Sequence, residues 1–546
     1  SMKPGIKIVP GLVLTILINL VPMLTVASDS EMSVTFQRVQ LDGETWEGVW
    51  KDDGAGYAVF RGIPFAAPPV GDRRWQPPAP RTPVPGVHMA KANGAACIQT
   101  QRLVKWDRSI YKAFGLDERR VPELMNISED CLYLNVWTPS REQGKKLPVM
   151  VWIYGGSNRA GWAHQSWYDG ASLAKRGVIS VFINYRVGVF GWMSHPALSS
   201  ESANGVSGNY AILDQVAALK WVKRNIGQFG GDSDRVTIAG ESAGGVNVAT
   251  LLASPLAKGL FKRAIIQSGG FPGKVDLEEN EALGTKIVAH LGVDPAADTT
   301  KMLTDMRALG AEDVLLASNA VRGLTGYGPV IDGYVLPAPT MDIYGQETDH
   351  PGEVMIGVDA NEASLFMSSF YAYRQGGELG EKEYARALAI YAADEDGQRS
   401  LRSMLDSEGD LYRRIERLHT LGWFMCPSIA AAKQLAGSGH KVYYYYFTRE
   451  REGQNTWIGA HHAAEIMYVF DTGNHIFPSN DIDVALSQAM GDYWANFMAK
   501  GDPNGDGYPR WPVFESDSRF YMTLGDDLSP DQNLESASCG FMKIPY

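Results

Sequence analysis

The chain has 546 residues, 45 % of them hydrophobic and 21 % charged, with a formal net charge of −12. That composition excludes a disordered or fibrous chain and supplies ample material for a core. The acidic balance argues against nucleic acid or an anionic membrane as a general partner.

Taken in chain order, Lys3 and Lys7 precede the apolar run from Ile8 to Ala27, and Ser28-Asp29-Ser30 follows it. This pattern reads as a signal peptide over residues 1–28, cleaved near Ala27, and implies a secreted or periplasmic protein without stable membrane association afterwards. A membrane anchor is the alternative, because the run is almost long enough to span; Pro10, Asn19 and Pro22 weigh against it. Ser1 ahead of Met2 reads as an expression remnant. Export gives meaning to the four cysteines, an even number that points to two disulfides. Three pairings are open, and the most local, Cys97–Cys131 with Cys426–Cys539, is favoured. No C-x-x-C or histidine pair at ligand spacing points to zinc.

Short strands with turn residues occupy 33–62, followed by a proline-rich surface stretch from Pro68 to Pro85. Cys131 to Trp137 is a strand, and Leu147 to Tyr154 and Val178 to Asn184 are apolar strands of the kind buried on both faces. Asn209 to Asn225 is helical, with Ile212, Val216, Leu219 and Val222 on one face. Further strands are expected at Val236 to Ala239, Phe261 to Ser268, Val354 to Val358 and Lys441 to Thr448. Helices are expected at Glu281 to Leu291, Thr299 to Leu309, through most of 378–436, and at Val484 to Lys500. Strand and helix alternate, which predicts a large, mostly parallel central sheet with helices on both faces. Without a linker, repeat or low-complexity tract, residues 29–546 read as one α/β domain with helical cap insertions.

One turn carries the chemistry. Gly240-Glu241-Ser242-Ala243-Gly244 is a G-x-S-x-G pentapeptide between a β-rich run and a small-residue helix, the setting of a nucleophile elbow. A turn this tight forces unfavourable backbone angles on Ser242 and leaves no room for side chains at 240 and 244. A serine hydroxyl is a weak nucleophile and needs a histidine base, a carboxylate to orient the histidine, and amide donors for the developing oxyanion. Glu362 follows the strand ending at Val358, and His462 follows the strand ending at Thr448, in the order found in α/β-hydrolases.

Two longer stretches make the pattern specific. Phe229-Gly230-Gly231, four residues, then Val236 to Gly244 form one; Glu129-Asp130-Cys131-Leu132-Tyr133-Leu134-Asn135-Val136 form the other. Both resemble signatures of the type-B carboxylesterase and cholinesterase family, and the likeness runs from about residue 33 to 515. The resemblance implies an α/β-hydrolase fold, an acyl-enzyme route to ester hydrolysis and no cofactor or metal. It implies Ser242 as nucleophile, Glu362 as triad acid and His462 as base, with His461 the competing candidate. Oxyanion donors are expected from the amides of Gly156, Ser157 and Ala243. Glu241 and Glu465 are implied as a carboxylate network behind the histidine. A non-catalytic adhesion or binding role on the same fold is the competing class; retention of all three triad residue types argues against it.

The chain departs from the family pattern in three places. Ala363 and Ala463 stand where the family has glycine, and each methyl is accommodated if the position does not need positive φ. The oxyanion loop, Gly155-Gly156-Ser157-Asn158-Arg159, has serine, asparagine and arginine where the family has glycine and an aromatic residue. Asn158 and Arg159 therefore point to substrate, since a guanidinium beside the oxyanion hole favours an anionic group in the acyl pocket. A structural ion pair of Arg159 with Asp169 or Glu241 is the alternative. Arg102, Lys105, Arg108 and Lys112 lie in a segment that walls the gorge entrance in the family, and Trp106 among them supplies an aromatic face. His164 is a further candidate for the pocket lining. Together these residues predict a small-molecule ester whose acid part carries free carboxylates, with a neutral ester as the alternative.

Overall fold

Thirteen strands form a single sheet in the order β1-β2-β3-β5-β7-β6-β8-β9-β10-β11-β12-β13, with β4 paired to β2. They are β1 (Thr35–Leu41), β2 (Glu44–Lys51), β3 (Tyr57–Pro64), β4 (Gly86–Met89), β5 (Tyr133–Thr138), β6 (Leu147–Ile153), β7 (Ile179–Ile183), β8 (Gly231–Glu241), β9 (Arg263–Gln267), β10 (Glu353–Asp359), β11 (Lys441–Phe447), β12 (Tyr521–Leu524) and β13 (Leu528–Asp531). The computed structural model describes residues 35–52, 54, 56–322, 327–346, 352–370, 379–454 and 458–543. Two units divide the chain, Ser1–Thr35 and Phe36–Tyr546. The expected signal peptide lies outside the described residues, and everything below concerns the second unit. Among the described residues no helix is long and apolar enough to cross a membrane.

The middle of the sheet, from β7 through β6, β8, β9, β10 and β11 to β12, is parallel throughout. Both faces of these strands are covered, so β6 is nearly all apolar and all five residues of β7 and of β9 are buried. Each such Val, Ile or Phe side chain contributes roughly 1.5–3 kcal/mol relative to exposure. Register aligns the carboxyl ends: Glu241 pairs with Gln267, Gln267 with Gly357, and Gly357 with Tyr445. Side chains from four strands are thereby delivered to one edge, where open α/β sheets bind ligands.

Helical insertions follow β9 (Leu277–His290, Thr299–Ala308, Ala311–Arg322) and β10 (Glu381–Tyr391, Glu395–Leu405, Leu411–Thr420, Cys426–Gly437). Both expected disulfides are present, Cys97–Cys131 and Cys426–Cys539, closing loops 34 and 113 residues apart in sequence. Chain entropy assigns each about 4–5 kcal/mol. Several elements go beyond what the sequence pattern predicts. The basic segment is a helix, Arg102–Ala113, with Val104, Asp107, Ile110 and Tyr111 inward and Arg102, Lys105 and Lys112 outward. β4, β12 and β13 are four-residue strands with little apolar alternation to betray them. The helix expected from Val484 starts at Asp481, because Asn480 caps it by accepting from the Ile482 and Asp483 amides.

Candidate active site

Ser242 sits between β8 and the helix Ala243–Ala253 with φ 58° and ψ −124°, a conformation that L-residues avoid. Two constraints hold it there. The Ser242 amide donates to Gln267 O at 2.9 Å, and its carbonyl accepts from Val246 N at 2.9 Å. Strand and helix approach so closely that a β-carbon on Gly244 would stand 2.0 Å from Ile153 O, and one on Gly240 2.6 Å from both Ile153 O and the Gly244 carbonyl carbon. The Ser242 side chain is half-buried at this tip.

The loop after β6 faces the serine. Tyr154 and Tyr185 brace its start by exchanging hydroxyl-to-carbonyl hydrogen bonds of 2.8 and 2.5 Å across stacked rings. Gly156 (φ 121°), Ser157 (φ 58°) and Asn158 (φ 54°) then run through left-handed backbone, and the amides of Arg159 and Ala160 both turn back to Gly156 O at 3.1 Å. These turn bonds leave out the Gly156 and Ser157 amides, and the Ala243 amide opens its helix without an intrahelical acceptor. Asn158 differs from the substrate contact expected of it. It is 2 % exposed, its Oδ1 accepts from Asn247 Nδ2 at 3.0 Å and its Nδ2 donates to Tyr327 O at 3.3 Å. Asn158 therefore staples the loop to the helix that carries Ser242.

His462 and Glu362 meet at the ends of β11 and β10. Glu362 is fully buried; its Oε2 lies 2.5 Å from His462 Nδ1, and its Oε1 accepts from Ser268 Oγ at 2.6 Å and Asp359 N at 2.8 Å. That arrangement makes Nδ1 the donor, and Nε2 has no hydrogen-bond partner among the described residues. Nε2 lies 3.2 Å from Glu241 Oε1, an ionic contact whose angles fall short of a hydrogen bond. His461 points away: its Nδ1 donates to His462 O at 2.9 Å, and burial pushes its ring down to about 4.

Four buried carboxylates crowd this corner: Glu241, Asp359, Glu362 and Glu465. Burial disfavours the His462 imidazolium, yet Glu241, Glu362 and Glu465 outweigh it and push the ring up to about 9. Burial and the neighbouring carboxylates raise Glu241 and Asp359; burial raises Glu465, with its hydrogen bonds to Asp359 and Gln267 opposing. The family pattern puts both network glutamates behind the histidine; only Glu465 is there, held by Gln267 Nε2 at 3.0 Å, whereas Glu241 stands at the Nε2 side. Asp359 is absent from the sequence-based site, although a carboxylate closing an apolar parallel strand three residues before Glu362 is a legible signal.

The wall around His462 is aromatic. Phe424 and Phe366 stand 4.9 and 5.0 Å from its ring, and Trp106 meets it edge-on at 6.4 Å. Phe424 comes from a π-helical turn, Leu421–Met425, which re-aims a side chain that helical periodicity would place elsewhere. Phe366 and Phe424 carry no sequence signal beyond core hydrophobicity. Arg159 lies half-buried with its guanidinium 5.3 Å from the Tyr327 ring centroid. Burial pulls its pKa down, Tyr327 opposes the fall and Arg102 adds to it. Asp169 supports Arg61. His164 lies by Trp162, and burial followed by the Arg61 charge pushes it down to about 4.

A model of the carboxylesterase family matches residues 30–542. The chain belongs to that family. It is 34 % identical over 490 residues to the fumonisin B1 esterase of Sphingopyxis macrogoltabida, covering 87 % of this chain and 85 % of that protein. Over 495 residues it is 32 % identical to the cocaine esterase of Homo sapiens, covering 86 % and 84 %. Among solved structures, a PNB esterase superposes with a TM-score of 0.78 at 30 % identity, over 94 % of this chain and all of the other. The protein is thus a carboxylic-ester hydrolase of α/β-hydrolase fold. In this carboxylesterase the two alanines behave differently. Ala363 keeps ordinary backbone angles, but Ala463, next to His462, has φ 70° and does occupy left-handed space.

Proposed function

We propose that this carboxylesterase works through an acyl-enzyme in which Ser242 attacks the ester carbonyl while His462 Nε2 takes the Oγ proton. The observation that carries the reading is a strained, half-buried serine whose chain neighbour Glu241 lies 3.2 Å from His462 Nε2, on an imidazole whose other nitrogen is held by a buried carboxylate. Amides of Gly156, Ser157 and Ala243 receive the oxyanion. His462 passes its proton to the departing alkoxide, then takes one from water as that water attacks the acyl group, and gives it to Ser242 Oγ as the acyl–Oγ bond breaks and the acid leaves. Glu362 holds Nδ1–H and stabilises the imidazolium.

For the substrate, Arg159 and Arg102 lie close enough to repel, which favours an anion between or beside them. Arg159 directly follows the loop that supplies the oxyanion amides, so the charge is assigned to the acyl part, while the aromatic wall at His462 suits an apolar alcohol. The proposed substrates are esters of polycarboxylic acids with long aliphatic alcohols, such as the tricarballylic esters of fumonisins; the similarity to a fumonisin B1 esterase supports this. Residues 1–28 are proposed as a signal peptide and 29–546 as one domain working in a secreted or periplasmic setting, consistent with two disulfides. Membrane and nucleic acid have no part in this reading.

The test compares matched esters with neutral and carboxylate-bearing acyl groups. The wild-type enzyme should prefer the charged ester, Arg159→Ala should lose that preference, and Ser242→Ala should lose about 10⁶-fold in kcat on both. Retained preference in Arg159→Ala removes Arg159 as the selector. Retained turnover in Ser242→Ala, or failure of an organophosphate to label Ser242, removes the acyl-enzyme.

A further inference from the structure

Asp359 is built into both halves of the acid–base pair. Its amide donates to Glu362 Oε1 at 2.8 Å, and its Oδ2 accepts from Ala464 N at 3.2 Å, two residues past His462. One residue thus sets the spacing between the Glu362 turn and the His462 loop. Its remaining oxygen, Oδ1, is buried without a hydrogen-bond partner among the described residues, and so is Glu465 Oε2. Glu465 is otherwise anchored, with Oε1 receiving Gln267 Nε2 at 3.0 Å and approached by Tyr445 OH at 3.5 Å. Both side chains are fully buried and lie within hydrogen-bonding reach of each other.

Two buried carboxylates within reach of each other, each with an oxygen that no donor among the described residues meets, repel strongly if both are ionised. A proton between them converts two orphaned acceptors into one hydrogen bond, as in carboxyl dyads that titrate as a unit. We propose that Asp359 and Glu465 share a single proton and form a positioning pair that presents one negative charge, rather than two, behind the Glu362–His462 couple. The neighbours facing the pair leave little alternative: Glu241 from β8 and Glu362 from the β10 turn are acidic, Tyr445 from β11 and Gln267 from β9 are neutral donors, and His462 is engaged by Glu362 and Glu241. The foremost charges acting on Asp359 are all carboxylates, and His462 is the basic group among those acting on Glu465. Burial, then Glu465 and Glu362, raise Asp359 far above the usual carboxylate range, in keeping with its holding the proton. The inference rests on Glu362 and His462 acting as the acid and base proposed above, but its spectroscopic test does not.

The test uses Asp359→Asn, Glu465→Gln and the double variant in the full-length enzyme. In Asp359→Asn the new amide can donate to an ionised Glu465 while its oxygen still accepts from Ala464 N. In Glu465→Gln the new amide can donate to an ionised Asp359. Each single variant therefore keeps one negative charge, and the acid limb of kcat/KM against pH should superimpose on that of the wild type. The double variant loses the charge, and its acid limb should move about one pH unit lower. In infrared difference spectra, wild type minus either single variant should show a protonated carboxylic-acid carbonyl band. A displaced acid limb in either single variant, or an absent band, overturns the shared proton; a double variant that folds and keeps the wild-type limb overturns the single charge. If the double variant does not fold, the infrared comparison decides alone. Loss of activity in every variant with the band intact would indict the acid–base reading and leave the pair standing.

Discussion

The two halves of the candidate site are held by different physics. On the Ser242 side, where β6 and β8 end, position is enforced by exclusion: backbone meets backbone, and the strained φ of 58° is offset by the close fit of strand to helix. On the His462 side, where β10 and β11 end, position is enforced by charge: four buried carboxylates, one imidazole and a ring of aromatic side chains. A steric device tolerates nothing larger and is indifferent to pH. An electrostatic one tolerates isosteric change and answers to pH.

The largest effect that separates the halves is expected from Gly244→Ala. The added methyl would sit 2.0 Å from Ile153 O and 2.8 Å from the Tyr154 carbonyl carbon, neither of which can move without parting β6 from β8. A loss of about 3 kcal/mol is expected, read as a fall in denaturation midpoint together with loss of organophosphate labelling at Ser242. Unchanged stability would mean that the close fit does not hold the elbow.

Charge should answer differently. The neutral imidazole accepts the serine proton, so activity is present above the His462 ionisation and falls as pH drops through it. Burial opposes the imidazolium, and Glu241 is the foremost of the groups that raise it to about 9. Glu241→Gln removes that support, favours the neutral ring and should move the acid limb of kcat/KM to lower pH while leaving the denaturation midpoint near neutral pH within about 1 kcal/mol. A limb that stays in place, or moves upward, would show that Glu241 carries no charge while His462 titrates.

The same contrast explains what the sequence could disclose. Steric devices write themselves into sequence as glycine at fixed offsets, so the elbow, the parallel strands and the oxyanion loop are legible from Gly240, Gly244, Gly155 and Gly156. Lengths and faces of the long helices follow from periodicity. The charge cluster is assembled by sheet register from residues that lie 241, 359, 362 and 465 along the chain; the end of β10 marks Asp359 as a candidate, but nothing local marks its reach to Ala464 or the Glu241 contact at Nε2. Phe424 is delivered by a π-helical turn that breaks the periodicity used to find it. Asn158 misleads for a related reason: an amide beside a catalytic loop suggests ligand binding, and only the fold shows that Asn247 and the Tyr327 carbonyl already occupy it.

The smallest effect probes whether strain also exists on the charged side. Ala463 holds φ 70° directly after His462, a region where an L-residue costs about 1–2 kcal/mol relative to right-handed backbone and where glycine is almost unstrained. Its conformation is imposed from both flanks, by the His462–Glu362 contact before it and by the Ala464 amide on Asp359 Oδ2 after it. Ala463→Gly should therefore stabilise the protein by about 1 kcal/mol, less the entropy that glycine adds to the unfolded chain, and a raised denaturation midpoint would register it. Activity should change little, because the substitution leaves the His462–Glu362 contact and the Ala464 amide on Asp359 in place. If the substitution destabilises instead, the left-handed turn is not a source of strain, and the histidine side relies on charge alone.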